Sequence, residues 1–131
     1  KSYTTSLLAI FNRYCDINDI EKYQEELKSI IKLGLPKSLI VHNGVEQFLE
    51  KLLCNLKVTQ NSVAVYNFIT IFIASLADVE YIHKEIDVLI KILNEFKKQK
   101  KTENAKLIAE KMYDIPCLKF HVEKYKEFLF E

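Results

Sequence analysis

The stretch NSVAVYNFITIFIASLAD, residues 61–78, decides the fold. From Val63 to Leu76 it is nearly all apolar, with Asn67, Thr70 and Ser75 as single polar islands. A bilayer span needs about 20 apolar residues, so this run is too short for one. Its β-branched residues suit a sheet, but ordinary strands are about 5 or 6 residues long, and no other segment offers a pairing partner. The reading that remains is a helix buried on most of its circumference.

The rest of the chain agrees with that reading. With 49% hydrophobic and 28% charged residues, the 131-residue chain has the composition of one globular domain, residues 1–131, with a substantial core. Two glycines and two prolines are too few for the many tight turns of a β protein, and they favour an all-α fold of long helices joined by short polar connections. A chain that begins on Lys1 and ends on Glu131 reads as a piece of a longer protein.

Charge and cysteine content narrow the function classes. Nineteen basic against eighteen acidic residues leave a net charge of +1, so no overall field steers the chain toward nucleic acid or an anionic membrane. Arg13 is the lone arginine, and arginine is the residue that bidentate phosphate or guanine recognition favours. Cys15, Cys54 and Cys117 are odd in number and widely spaced, as reduced thiols in an intracellular protein would be.

Helix signals partition the chain. Leu7, Leu8, Ile10, Phe11 and Tyr14 give helical spacing over residues 5–14. Asn18 and Glu21 form a capping box for a second helix, which Gly34 ends. Pro36 opens a short helix, PKSLIVH, which Gly44 closes. Val45, Phe48, Leu49, Leu52, Leu53 and Leu56 then follow a regular amphipathic series. Asn61 or Ser62 caps the apolar helix. Beyond Asp78 the pattern resumes at Val79, Ile82, Ile86, Leu89, Ile90, Leu93 and Phe96, as one helix or as two that break near Glu85. The run KKQKK closes it. Thr102 caps a helix with Leu107, Ile108 and Met112 inward, and Pro116 marks the boundary before a last helix through Leu118, Val122, Tyr125 and Leu129.

A repeat emerges on comparing the chain with itself. VEQFLEKLL at residues 45–53 resembles IDVLIKILN at residues 86–94, an offset of 41 residues. A short helical piece precedes each, SLIVHNG and VEYIHKE, and a polar turn with a capped helix follows each. A period near 40 residues, with Gly44 before a leucine-rich helix and IFIASL ending the next, resembles armadillo and HEAT repeats over residues 36–120. The resemblance implies a short α-solenoid acting as a non-catalytic protein-interaction scaffold, its partner another protein or peptide. The last helix of each unit then lines the concave face, which makes Asn67, Thr70, Ile71 and Ser75 the candidate binding residues. In armadillo proteins that hold extended peptides, a Trp and Asn ladder occupies that helix. Here Ile71 and Ser75 stand in those places in one unit, with Tyr113 and Cys117 in the next, so an extended peptide is not the expected ligand. The alternative is a compact helical bundle around the apolar helix, as in Bcl-2-like proteins, which would bind an amphipathic helix in a groove.

No catalytic motif stands out, and no cofactor or metal is expected. Cys117 and His121, four apart, supply half of a zinc site at most. Isolated glycines cannot build a phosphate loop. The carboxylates of EKYQEEL and HKEID alternate with lysines, as solvated helix faces do. The lysines of FKKQKK complement a helix C-terminus and solvate the loop beyond it; their other reading is contact with an acidic partner or with nucleic acid, for which one patch without arginine or interleaved aromatics is thin support. Aromatic residues gather toward the end of the chain at Tyr113, Phe120, Tyr125, Phe128 and Phe130, and one helix cannot bury the consecutive Phe128, Leu129 and Phe130 against a single neighbour. Apolar terminal faces of this kind cover a neighbouring repeat, a partner, or a second copy of the chain.

Overall fold

The computed structural model describes residues 25, 44–59 and 62–130, and among them every regular element is helical. The helices expected over residues 5–14, over 18–33 and at PKSLIVH lie outside the described residues. The described helices are α1 (Gly44–Thr59), α2 (Ser62–Ala74), α3 (Lys84–Lys98), α4 (Thr102–Tyr113) and the short turns α5 (Pro116–Lys119) and α6 (Lys126–Leu129). Two 3-10 turns, Ser75–Asp78 and Val122–Lys124, lie between them.

Helix α1 buries Leu49, Leu52, Leu53 and Leu56, the inward stripe that its periodicity requires. Gly44 opens this helix. Helix α2 is the apolar stretch, and it buries Ala64, Val65, Phe68, Ile69, Phe72 and Ile73, while Val63 and Ala74 reach solvent. Its core therefore spans most of the circumference, as its lack of a polar face demands. Ser62 is the first residue inside the helix and is itself buried. No described helix is long and apolar enough to cross a membrane.

Between Asp78 and Lys84 the structure departs from the expected helix. Val79 is extended, with φ −83° and ψ 128°, and its N–H bonds to the Leu76 carbonyl at 3.0 Å. Val79 and Ile82 are buried all the same, so this irregular segment still turns both side chains toward the core. The chain re-enters a helix at Lys84, where the Glu85 carboxylate accepts the backbone N–H of His83 at 2.9 Å. The short helical piece expected at VEYIHKE is thus an irregular connector followed by a helix start.

Helix α3 buries Ile86, Val88, Leu89, Ile92, Leu93 and Phe96 and ends in a Schellman turn. The Lys100 N–H bonds to the Lys97 carbonyl at 2.9 Å, and the Lys101 N–H to that of Phe96 at 2.8 Å. That geometry puts Lys100 at φ 63°, a left-handed position that glycine usually fills. In α4 the inward residues are Ala105, Ile108, Ala109 and Met112, whereas Leu107, expected inward, is on the exposed side. Two alanines in the stripe let α4 approach its neighbours closely. Thr102 is the first helical residue rather than the cap, a place held by Lys101.

Pro116 acts as expected, with Ile115 before it extended and Pro116 in the first turn of α5. The single last helix does not follow. Residues 116–129 fold instead as α5, a 3-10 turn and α6, pinned by a hydrogen bond from the Tyr125 hydroxyl to the Leu118 carbonyl at 2.9 Å.

Consecutive helices α3 and α4 pack on each other, whereas α1 and α2 make only sparse contact. The main contacts of the first two helices are with the later pair: α1 packs on α3 and α2 packs on α4. The Gln99 side chain donates to the Leu56 carbonyl at 3.0 Å, which joins the C-terminal ends of α1 and α3 and shows that the two run in the same direction. One core cluster runs from Leu49 to Phe128.

Candidate functional site

The expected binding residues fall on α2 and just after it. Asn67, Thr70 and Ile71 are half-buried, and the spacing of 67, 70 and 71 places them on one side of the helix. The Thr70 hydroxyl donates to the Asn67 carbonyl at 2.9 Å, so part of its hydrogen-bonding capacity is spent within the helix. Ile71 packs against the core cluster. Ser75 is the first residue of the 3-10 turn that ends α2, and its side chain lies outside the described set. The three described residues offer a strip of limited width.

The broader exposed apolar surface lies elsewhere, where the chain breaks into turns. Phe130 is 82% exposed and Phe120 is 83% exposed, with Tyr81 and Tyr113 also well exposed. Such surface disfavours a lone molecule in water at about 25 cal/mol per Å². Tyr113, Val122, Leu129 and Phe130 line a recess of about 580 Å³ between the end of α4 and the C-terminal turns. Among the described lining residues Glu110, Asp114 and Glu123 border it, against one cation, Lys126. Lys126 is 3.1 Å from Glu123 and offsets that carboxylate, which leaves Glu110 and Asp114 to give the rim its negative sign.

The local folding that builds this recess is specific. Pro116 stops α4 from continuing, and the buried Tyr125 folds the last turns back on α4. Phe128 is buried, Leu129 is half-buried and Phe130 points to solvent, as one short turn must divide three consecutive apolar residues. Lys97 lies over the Phe128 ring at 5.7 Å, and Lys124 is 3.6 Å from Asp87, so α3 also holds the segment in place. Lys119 sits over the Tyr113 ring at 4.7 Å on the flank of the recess.

A second apolar crevice, about 480 Å³, runs between the Val79–Ile82 connector and α5, with Tyr81, Phe120 and His121 at its mouth. The Tyr81 ring stacks on His83 with centroids 6.0 Å apart, and the Phe120 ring meets His121 edge-on at 5.3 Å. Cys117 lines this crevice, its thiol 3.8 Å from the Leu76 carbonyl and raised in pKa by burial. A neutral, buried thiol is a poor nucleophile. Among the described residues no three of His, Cys, Asp and Glu lie close enough together to hold a metal ion.

One expectation is overturned by burial. HKEID reads as a solvated face, yet Glu85 is only 3% exposed, because its carboxylate turns back to cap α3 while Asp87 stays in water. Sequence reading singled out Tyr113 and Phe130 but missed the acids around them. Glu110 in α4 and Asp114 at its C-cap are four apart, a spacing that was there to be read, whereas Glu123 joins them only through the fold of the last turns. In comparisons with family models, with curated proteins and with solved structures, nothing matches this chain significantly.

Proposed function

We propose that this domain is a non-catalytic protein-interaction module, and that its binding site is the Tyr113–Val122–Leu129–Phe130 recess. The observation that carries the reading is the combination of an exposed apolar floor with a rim of Glu110, Asp114 and Glu123. Apolar side chains of a partner would fill the floor, and the rim selects lysine or arginine beside them, so the partner is a peptide segment that mixes apolar and basic residues. The parallel packing of α1 on α3, with α2 packed on α4, supports a stack of helix pairs of the armadillo or HEAT kind, a scaffold that presents surfaces rather than chemistry.

A displayed random-peptide selection against the wild-type domain, with the Phe130→Asp variant as counter-selection, tests this. Phe130 is solvent-exposed, so the substitution leaves the core intact. Enrichment of basic–apolar sequences that fail to bind Phe130→Asp is expected. Enrichment of acidic sequences, or of binders indifferent to Phe130→Asp, would reject the recess. Loss of binding on Thr70→Lys instead would return the site to the α2 strip.

A further inference from the structure

At the end of the molecule where α1 and α3 finish, four lysines converge. Lys57 from the last turn of α1, Lys98 from the last turn of α3, and Lys100 and Lys101 from the turn beyond it line a recess of about 770 Å³. None of the four has an ion-pair partner among the described residues. Glu95, the one acid among the described lining residues, already accepts the Gln99 side-chain N–H at 2.9 Å. Lysines in the last turn of a helix complement its dipole, which accounts for Lys57 and Lys98. It does not account for Lys100 and Lys101, which stand past the helix end.

Two independent observations mark the recess as built. Ser62, only 7% exposed, lines it, and its hydroxyl has no hydrogen-bond partner among the described residues. A buried hydroxyl left unpaired costs about 1–3 kcal/mol, so a ligand oxygen there would recover that cost. Lys100 also holds the left-handed position of the Schellman turn, at φ 63°. Any residue with a Cβ is strained there, so the chain keeps a positive charge where glycine would be more stable.

We propose that this recess binds a small phosphate-bearing polyanion, with the Ser62 hydroxyl donating to one oxygen at its floor and Lys57, Lys98, Lys100 and Lys101 neutralising the charge around it. Lysine suits such a ligand, since its ammonium is a compact charge with three donors that needs no planar partner. The buried floor favours a small soluble ligand over a flat anionic membrane, which could meet only the outer lysines.

Calorimetric titration of the domain with tripolyphosphate tests the proposal. Saturable one-to-one binding that weakens as salt rises is expected. Lys100→Gly should raise the melting temperature of the free protein and yet weaken tripolyphosphate binding by about two- to fivefold. Ser62→Ala should weaken binding by about tenfold while leaving the melting temperature equal or higher. Lys84→Gln, at the opposite end of α3, should bind as wild type does. Absence of saturable binding, wild-type affinity in both Lys100→Gly and Ser62→Ala, or an equal loss in Lys84→Gln would overturn the site. Vesicles rich in anionic phospholipid form the second arm, and binding to them without binding to tripolyphosphate would equally overturn it in favour of a membrane surface.

Discussion

Glu85 and Tyr125 each settle where the backbone turns. The Glu85 carboxylate takes the His83 N–H at the start of α3, close to the positive end of the helix dipole. Replacing it with alanine should cost about 1–2 kcal/mol, read as a lower urea midpoint with an unchanged slope. The Tyr125 hydroxyl reaches the Leu118 carbonyl, seven residues back, which in a continuous helix would be about 10 Å away along the axis. That reach requires the broken turns. Burial raises both the Tyr125 hydroxyl and the Cys117 thiol, so the folded state keeps protons that the unfolded chain releases in alkali. The stability that these two groups lend should therefore be fully present at neutral pH and should fall as pH rises beyond about 8, with a shallower fall in Tyr125→Phe. Urea midpoints at neutral and alkaline pH measure this, and an equal midpoint at both would contradict it. None of this was legible in the sequence, where Glu85 is one more carboxylate among lysines and Tyr125 one more aromatic at helical spacing.

Among the elements, α1 and α2 were plain in the sequence because one has a regular apolar stripe and the other almost no polar face. The Val79–Ile82 connector was not, since its buried residues keep the period of the helix that follows. The last helix misled for a related reason. Leu118, Val122, Tyr125 and Leu129 have helical spacing, and no glycine or proline marks the breaks near His121 and Tyr125. Helix α4 depends on small residues where it meets its neighbours. Ala109 is fully buried, so Ala109→Leu should overpack the interface and cost about 1–3 kcal/mol, observed as a lower melting temperature with helix content retained. An unchanged melting temperature would mean that α4 packs more loosely than described.

At the scale of the molecule, the two segments that the sequence relates by an offset of 41 residues are α1 and α3, which lie side by side and run in the same direction. Both segments that the self-comparison picked out are thus helical and in contact. The self-comparison could not locate the candidate sites, because each draws residues from distant segments. Lys57 and Ser62 join Lys98, Lys100 and Lys101 from about 40 residues away in the chain, and Glu110 and Tyr113 meet Leu129 and Phe130 only through the broken C-terminal turns. The central claim is that the acidic-rimmed recess takes a basic–apolar segment of another protein. The chain contains no tryptophan, so a tryptophan-bearing version of the most enriched peptide reports only its own surroundings. Titrating the domain into that peptide should give a saturable blue shift that disappears with Phe130→Asp and weakens with Glu110→Lys. A peptide whose emission shifts equally with wild type and Phe130→Asp, or does not shift at all, would contradict the account.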